Sequence, residues 1–164
     1  MTEKKSVFMF LDDDAFHPDK IRHPRYYYPL IGADDLLEKV YNSELVVNTT
    51  VEGAIDYIER NGCPNFISFD NDLMRELEGV DLAKWLVEKD MDDPSFLPKD
   101  FNFFVHSQNP IAKEKIYSYL GQYLEFKDRS NEDAPKPKRP SIWSNKSLSK
   151  RLFYLFRKDR CKIR

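Results

Sequence analysis

Cysteine is almost absent. Cys63 and Cys161 are the only two in 164 residues. They form neither a zinc-ligand pattern nor a disulfide framework, so the sequence points to a reducing, cytoplasmic setting. No run of about 18 apolar residues occurs, which excludes a membrane-spanning helix. The opening stretch "MTEKKSVFMFLDDD" meets acid soon after its apolar run begins and has no small-residue cleavage site. It reads as a strand and not as a secretory signal. No internal repeat is visible. The apolar content of 41% in a chain of this length suits one compact domain with a short appendage, able to bury a core without staples.

Net charge is also small, −2, but it conceals an asymmetry. Residues 1–135 carry 15 Lys and Arg against 27 Asp and Glu, a balance of −12, and residues 136–164 carry 11 against one, a balance of +10. The basic tail 136–164 is compatible with contact to RNA, and equally with docking on its own acidic body.

Short apolar segments alternate with segments of helical period. "SVFMFL" (6–11), 45–48, "NFISF" (65–69) and "FNFFVHS" (101–107) read as strands. Between the first two lies an insertion, 15–44. Its first half, "AFHPDKIRHPRYYYP", has three prolines and reads as a loop, and its second half, "ADDLLEKVYNSE", reads as a short helix. Thr49 or Thr50 caps a helix through "VEGAIDYIERN" that Gly62 ends. A further helix spans "EGVDLAKWLVEK", with Val80, Ala83, Leu86 and Val87 inward and Trp85 in the core or at its edge. Pro110 opens the last, "IAKEKIYSYLGQYLEF", as proline does at a first helical position. The pattern breaks after Phe126. Residues 127–164 read as a proline-containing linker followed by a basic amphipathic helix, "NKSLSKRLFYLFRKDR". Residues 1–126 thus form an α/β domain of three layers around a mostly parallel sheet, with a C-terminal basic helical extension.

In such sheets ligands bind beyond the carboxyl ends of the strands. Three of the four strands end in charged or reactive groups: Asp12, Asp13 and Asp14; Asp70, Asn71 and Asp72; His106 and Ser107. One acid after a strand is ordinary turn chemistry, the reading given to Asp14 and Asp19. Three agreeing strand ends imply a site. Crowded carboxylates repel, and a divalent cation such as Mg²⁺ or Mn²⁺ relieves that while keeping positions for a phosphate. Asp12, Asp13 and Asp70 are the candidate metal ligands. Asp70, Asp72, His106 and Ser107 are the candidate catalytic groups, since imidazole near neutral pH takes or gives a proton or coordinates a metal. Ser107 can donate to a phosphate oxygen. Asn109 either does the same or caps the helix opened by Pro110. Arg22 and Arg25, in the loop with His17, His23 and Tyr26 to Tyr28, can fold over the site as a lid that supplies cations to a substrate phosphate; the alternative is a packed aromatic loop.

At these residues the chain resembles receiver domains, and more closely a divergent offshoot, the cyclic-phosphate processing receiver-like family. The motifs stand as Leu11-Asp12-Asp13, Ser68-Phe69-Asp70-Asn71-Asp72-Leu73, Gly79-Val80-Asp81 and His106-Ser107-Gln108-Asn109-Pro110, over roughly residues 6–124. The resemblance implies a receiver or flavodoxin-like fold and action on cyclic phosphates of RNA ends or nucleotides. There are departures. Ala15 stands where the family has Arg, Asn71 where it has His, and no Lys follows a fifth strand. Two functions fit best: a metal-dependent phosphoesterase, or a non-catalytic receiver-like module that binds a ligand or partner; a conventional phosphoacceptor at Asp70 ranks below both, because no Lys partner is visible.

Overall fold

A computed structural model describes residues 5–14 and 34–130. The order is β1 (Val7–Leu11), α1 (Asp34–Asn42), β2 (Glu44–Asn48), α2 (Val51–Asn61), β3 (Phe66–Phe69), α3 (Gly79–Asp92), β4 (Asn102–Val105), α4 (Pro110–Ile116), one π-helical turn (Tyr117–Gly121) and α5 (Gln122–Ser130). All four strands are parallel, in the order β2-β1-β3-β4. A parallel sheet is covered on both faces, so its central strands are apolar throughout and do not alternate with polar residues. Accordingly "VFMFL" is buried from Phe8 onward and "FISF" along its whole length.

One face carries Met9, Leu11, Ile67, Phe69, Phe103 and Val105, packed against α2, α3 and the α4–α5 rod. The other carries Phe8, Phe10, Phe66 and Phe104, with Val40 and Leu36 of α1 against them. Each wholly buried phenylalanine contributes roughly 1.5–3 kcal/mol, which lets four short strands hold together without a covalent staple. The three-layer α/β fold expected from the sequence is the one observed.

Local signals do as expected at several termini. Thr50 Oγ1 accepts from Gly53 N at 3.0 Å, and Gly62 ends α2 at φ 90°, where a side chain would be strained. Trp85 sits half-buried at the core edge, its ring edge-on to Phe96 at 5.7 Å.

Two helices run further than the sequence reading has them. Helix α3 runs to Asp92, three residues beyond Lys89. Helix α5 runs to Ser130, four beyond Phe126. Both extensions serve Asp90. Its Oδ1 accepts from Leu97 N at 2.8 Å, and its Oδ2 accepts from the Tyr123 hydroxyl at 2.9 Å and from Lys127 Nζ at 2.6 Å. Lys127 also donates to the Pro94 carbonyl at 2.9 Å. The π turn has its own reason. Ala112, Ile116, Leu120 and Leu124 are all buried at a strict spacing of four, which in a plain α-helix drifts about 40° per step. A wider turn absorbs that drift and keeps all four on the core.

The loop with His17, Arg22, His23 and Arg25, and the tail 136–164, where an amphipathic helix is expected, lie outside the described residues. So does Cys161.

Candidate metal and phosphate site

Register builds the site. Leu11, Phe69 and Val105 stand side by side across β1, β3 and β4. The ladder continues one residue past each strand: Asp12 N donates to Asn48 O (3.1 Å), Asp70 N to Leu11 O (2.8 Å) and His106 N to Phe69 O (2.9 Å). Asp12, Asp70 and His106 therefore form one row across adjacent strands, which lie about 4.8 Å apart. The row spans the boundary between β1 and β3, where the strand order reverses, which is the binding crevice of open α/β sheets.

One ligand atom from each of Asp12, Asp70 and His106 lies within 4.8 Å of the others. Asp12 accepts from Asp14 N through Oδ1 at 2.9 Å, while its Oδ2 is 3.1 Å from His106 Nε2. Asp70 accepts from Asn71 N through Oδ1 at 2.7 Å. The imidazole lies flat on Phe10, ring centroids 4.4 Å apart and planes at 10°, and its Nδ1 is 2.8 Å from Ser68 Oγ. Ligand atoms bound to one ion at about 2.1 Å stand roughly 3–4 Å apart; Asp12 and His106 meet that spacing, and Asp70 lies close enough to join them as a candidate donor set for a divalent cation.

Asp13 is placed differently. It is exposed and is not among the three converging groups. Residues alternate faces along an extended chain, and the turn that Asp12 closes on Asp14 carries Asp13 outward. Of the carboxylates expected to hold metal, the fold brings together Asp12 and Asp70 and adds His106.

Ser68 is a group to which the sequence reading gives no role. Its connectivity, Ser68–His106–Asp12, is that of a nucleophilic triad, but Ser68 is wholly buried within β3 and no substrate can reach it. It orients the ring. The signal lay in the two-residue period: Ser68 and Phe10 precede Asp70 and Asp12 by two and share their face.

The loop after β3 explains Asn71 and Gly79. Asn71 is 1% exposed and faces the start of α3. Its Oδ1 accepts from Val80 N (3.2 Å), its carbonyl accepts from Leu73 N and Gly79 N, and its Nδ2 donates to Asp72 Oδ1 and Glu78 Oε2, each 3.1 Å. A Cβ at Gly79 would stand 2.0 Å from the Asp70 carbonyl oxygen, so only glycine permits this approach. Asp81 Oδ2 accepts from Glu78 N at 3.0 Å, and that bond holds the Asp81 carboxyl below the usual carboxylate range.

The rim after β4 locks onto this loop. Asn109 Oδ1 accepts from Ile111 N and Ala112 N, so Asn109 takes the capping role at α4. Its Nδ2 donates to Asp72 Oδ1 at 3.3 Å. Asp72 is exposed and tied to both rims. Ser107 is buried; its Oγ accepts from Asn109 N at 3.2 Å, which leaves the hydroxyl proton to donate.

Residues 7–122 match the cyclic-phosphate processing receiver domain. The chain belongs to that family. No curated protein matches the chain. Among solved structures, a yeast Spc42 trimeric coiled-coil fragment (amino acids 181–211) fused to another structure is similar at 18% identity and a TM-score of 0.42. The match covers 97% of this chain and 94% of that one; a likeness of that level carries no argument. Among the described residues no helix is long and apolar enough to cross a membrane.

Proposed function

We propose that this receiver domain is a metal-dependent phosphoesterase acting on cyclic phosphates of RNA ends or nucleotides. The observation that carries the reading is the row of Asp12, Asp70 and His106 at the reversal point of the sheet. A divalent ion such as Mg²⁺ or Mn²⁺ bound there polarises the phosphoryl oxygen and stabilises the charge developing on it. The protein's own groups do the rest. Ser107 donates its hydroxyl proton to a phosphate oxygen. Asn109 keeps the two rims in register. Asp72, exposed between them, takes a proton from the attacking water. In the overall reaction water adds to phosphorus, one ring P–O bond breaks and the leaving oxygen gains a proton. Arg22 and Arg25 supply cations to the phosphate, and the tail 136–164 contacts RNA.

The test is turnover by purified protein with Mg²⁺ or Mn²⁺ on 2′,3′-cyclic phosphate ends and cyclic nucleotides. Activity that disappears in Asp70→Asn supports the reading, and absence of both turnover and metal binding overturns it. For the tail, deleting residues 136–164 should flatten the salt dependence of RNA affinity; an unchanged slope assigns the tail to its own domain.

One observation favours a second reading, a ligand-binding module without turnover. Asn71 occupies the family's His position, and its amide is committed to α3, so no acid–base group stands there. This reading predicts a ligand-dependent rise in melting temperature with no product formed.

A further inference from the structure

We propose that His106 Nε2 is the third ligand of the ion, presented by Ser68, and that the site therefore selects a first-row transition ion (Mn²⁺, Co²⁺ or Zn²⁺) over Mg²⁺. The inference rests on the metal reading above and narrows it.

Mg²⁺ takes oxygen ligands in a near-ideal octahedron and gives up its waters reluctantly. An oxygen-only set of Asp12, Asp13 and Asp70 would suit it, but Asp13 is turned out to solvent. The set that converges contains an imidazole, a donor suited to later first-row ions. His106 is also held for ligation. Its side chain is 7% exposed, with Phe10 stacked against one face and Ser68 Oγ at Nδ1. Nitrogen ligands of metals commonly have their second ring nitrogen fixed in this way by a hydrogen-bonding group.

A hydroxyl both donates and accepts, so Ser68 serves two states. With the ring proton on Nε2, His106 donates to Asp12 Oδ2 and Ser68 donates to Nδ1. With the proton on Nδ1, Ser68 accepts it and the Nε2 lone pair turns to the carboxylates. Alanine at 68 would remove the partner that stabilises the ligating tautomer. Ser68 is thus a positioning residue, acting through His106.

The experiment is calorimetric titration of the full chain with Mn²⁺, Zn²⁺ and Mg²⁺ separately. It is accompanied by the visible absorption of a Co²⁺ complex and by ¹⁵N chemical shifts of the His106 ring. Mn²⁺ and Zn²⁺ should bind at least about tenfold more tightly than Mg²⁺. Ser68→Ala should weaken Mn²⁺ about 10–100-fold, leave Mg²⁺ nearly unchanged and shift the ring tautomer, and Ser68→Thr should restore both. Should Ser68→Ala fold poorly, His106→Gln provides the second reading, because it should erase the preference for Mn²⁺ and Zn²⁺. Equal affinity for Mg²⁺ and Mn²⁺, or a preference that survives His106→Gln, overturns the proposal. Turnover with unselective Mg²⁺ binding would sink this inference and keep the phosphoesterase. Selective Mn²⁺ binding without turnover would do the reverse.

Discussion

Among the described residues two aspartates leave water, and they do so in opposite ways. Asp90, on α3, is fully buried and meets a backbone amide, a tyrosine hydroxyl and the Lys127 ammonium. Its charge is matched and its oxygens are saturated. Asp12, after β1, is 6% exposed. Among the described residues its one ion-pair partner is His106, and a second carboxylate, Asp70, converges on the same point. A buried carboxylate that is fully compensated is architecture. Two that converge on one imidazole are poised for a ligand.

That contrast can be broken from either side. The largest expected effect is at Lys127. Lys127→Met leaves Asp90 buried without its cation and should cost about 3–5 kcal/mol in urea unfolding, with metal binding unchanged in the protein that remains folded. A smaller loss is expected at Asn71→Ala, where Val80 N–H loses its buried acceptor, a cost of about 1–3 kcal/mol. If Asn71 is only a scaffold, calorimetric ion affinity should then shift far less than melting temperature.

Asp70→Asn should run the other way. Removing one of two converging carboxylates relieves repulsion, so stability should hold or rise by up to about 1 kcal/mol while ion binding is lost. A large destabilisation would mean that Asp70 is architectural like Asp90.

The smallest effect is a pH limb. Burial and the neighbouring Asp90 push the Tyr123 phenol up to about 12, above its ordinary value near 10. The folded state therefore favours the protonated phenol. That contribution is complete below about pH 10 and is lost as pH rises through about 12. Alkaline melts followed by phenolate absorbance should show a weakening limb there that Tyr123→Phe removes.

Much of the fold was legible because its determinants are local. Apolar runs of four or five residues, helical spacing in 51–61 and 79–89, Thr50, Gly62 and Pro110 each act within a turn or two of themselves. The last helix was legible only as far as Phe126. Its continuation depends on Lys127 finding Asp90, 37 residues away in sequence, and no periodicity carries that information. The π turn was hidden for a related reason, since a spacing of four reads as an ordinary helix until one core must receive all four side chains.

The site divides along the same line. Its ingredients, Asp12, Asp70, His106, Ser107 and Asn109, are visible because each follows an apolar strand, where a parallel sheet places its ligands. Their motifs also identify the family. Which of them meet was decided by register. With Leu11, Phe69 and Val105 aligned, the next residue of each strand enters one row. A shift of one would have exchanged Asp12 for Asp13. The sequence by itself determined the strands, their order of charge and the chemistry available at their ends, since these are properties of neighbouring residues. Only the tertiary structure decided that His106 joins the carboxylates, that Ser68 stands behind it and that Asn71 turns away to hold α3. Those outcomes depend on parallel strand pairing and on the close approach at Gly79, which bring together residues distant in the chain.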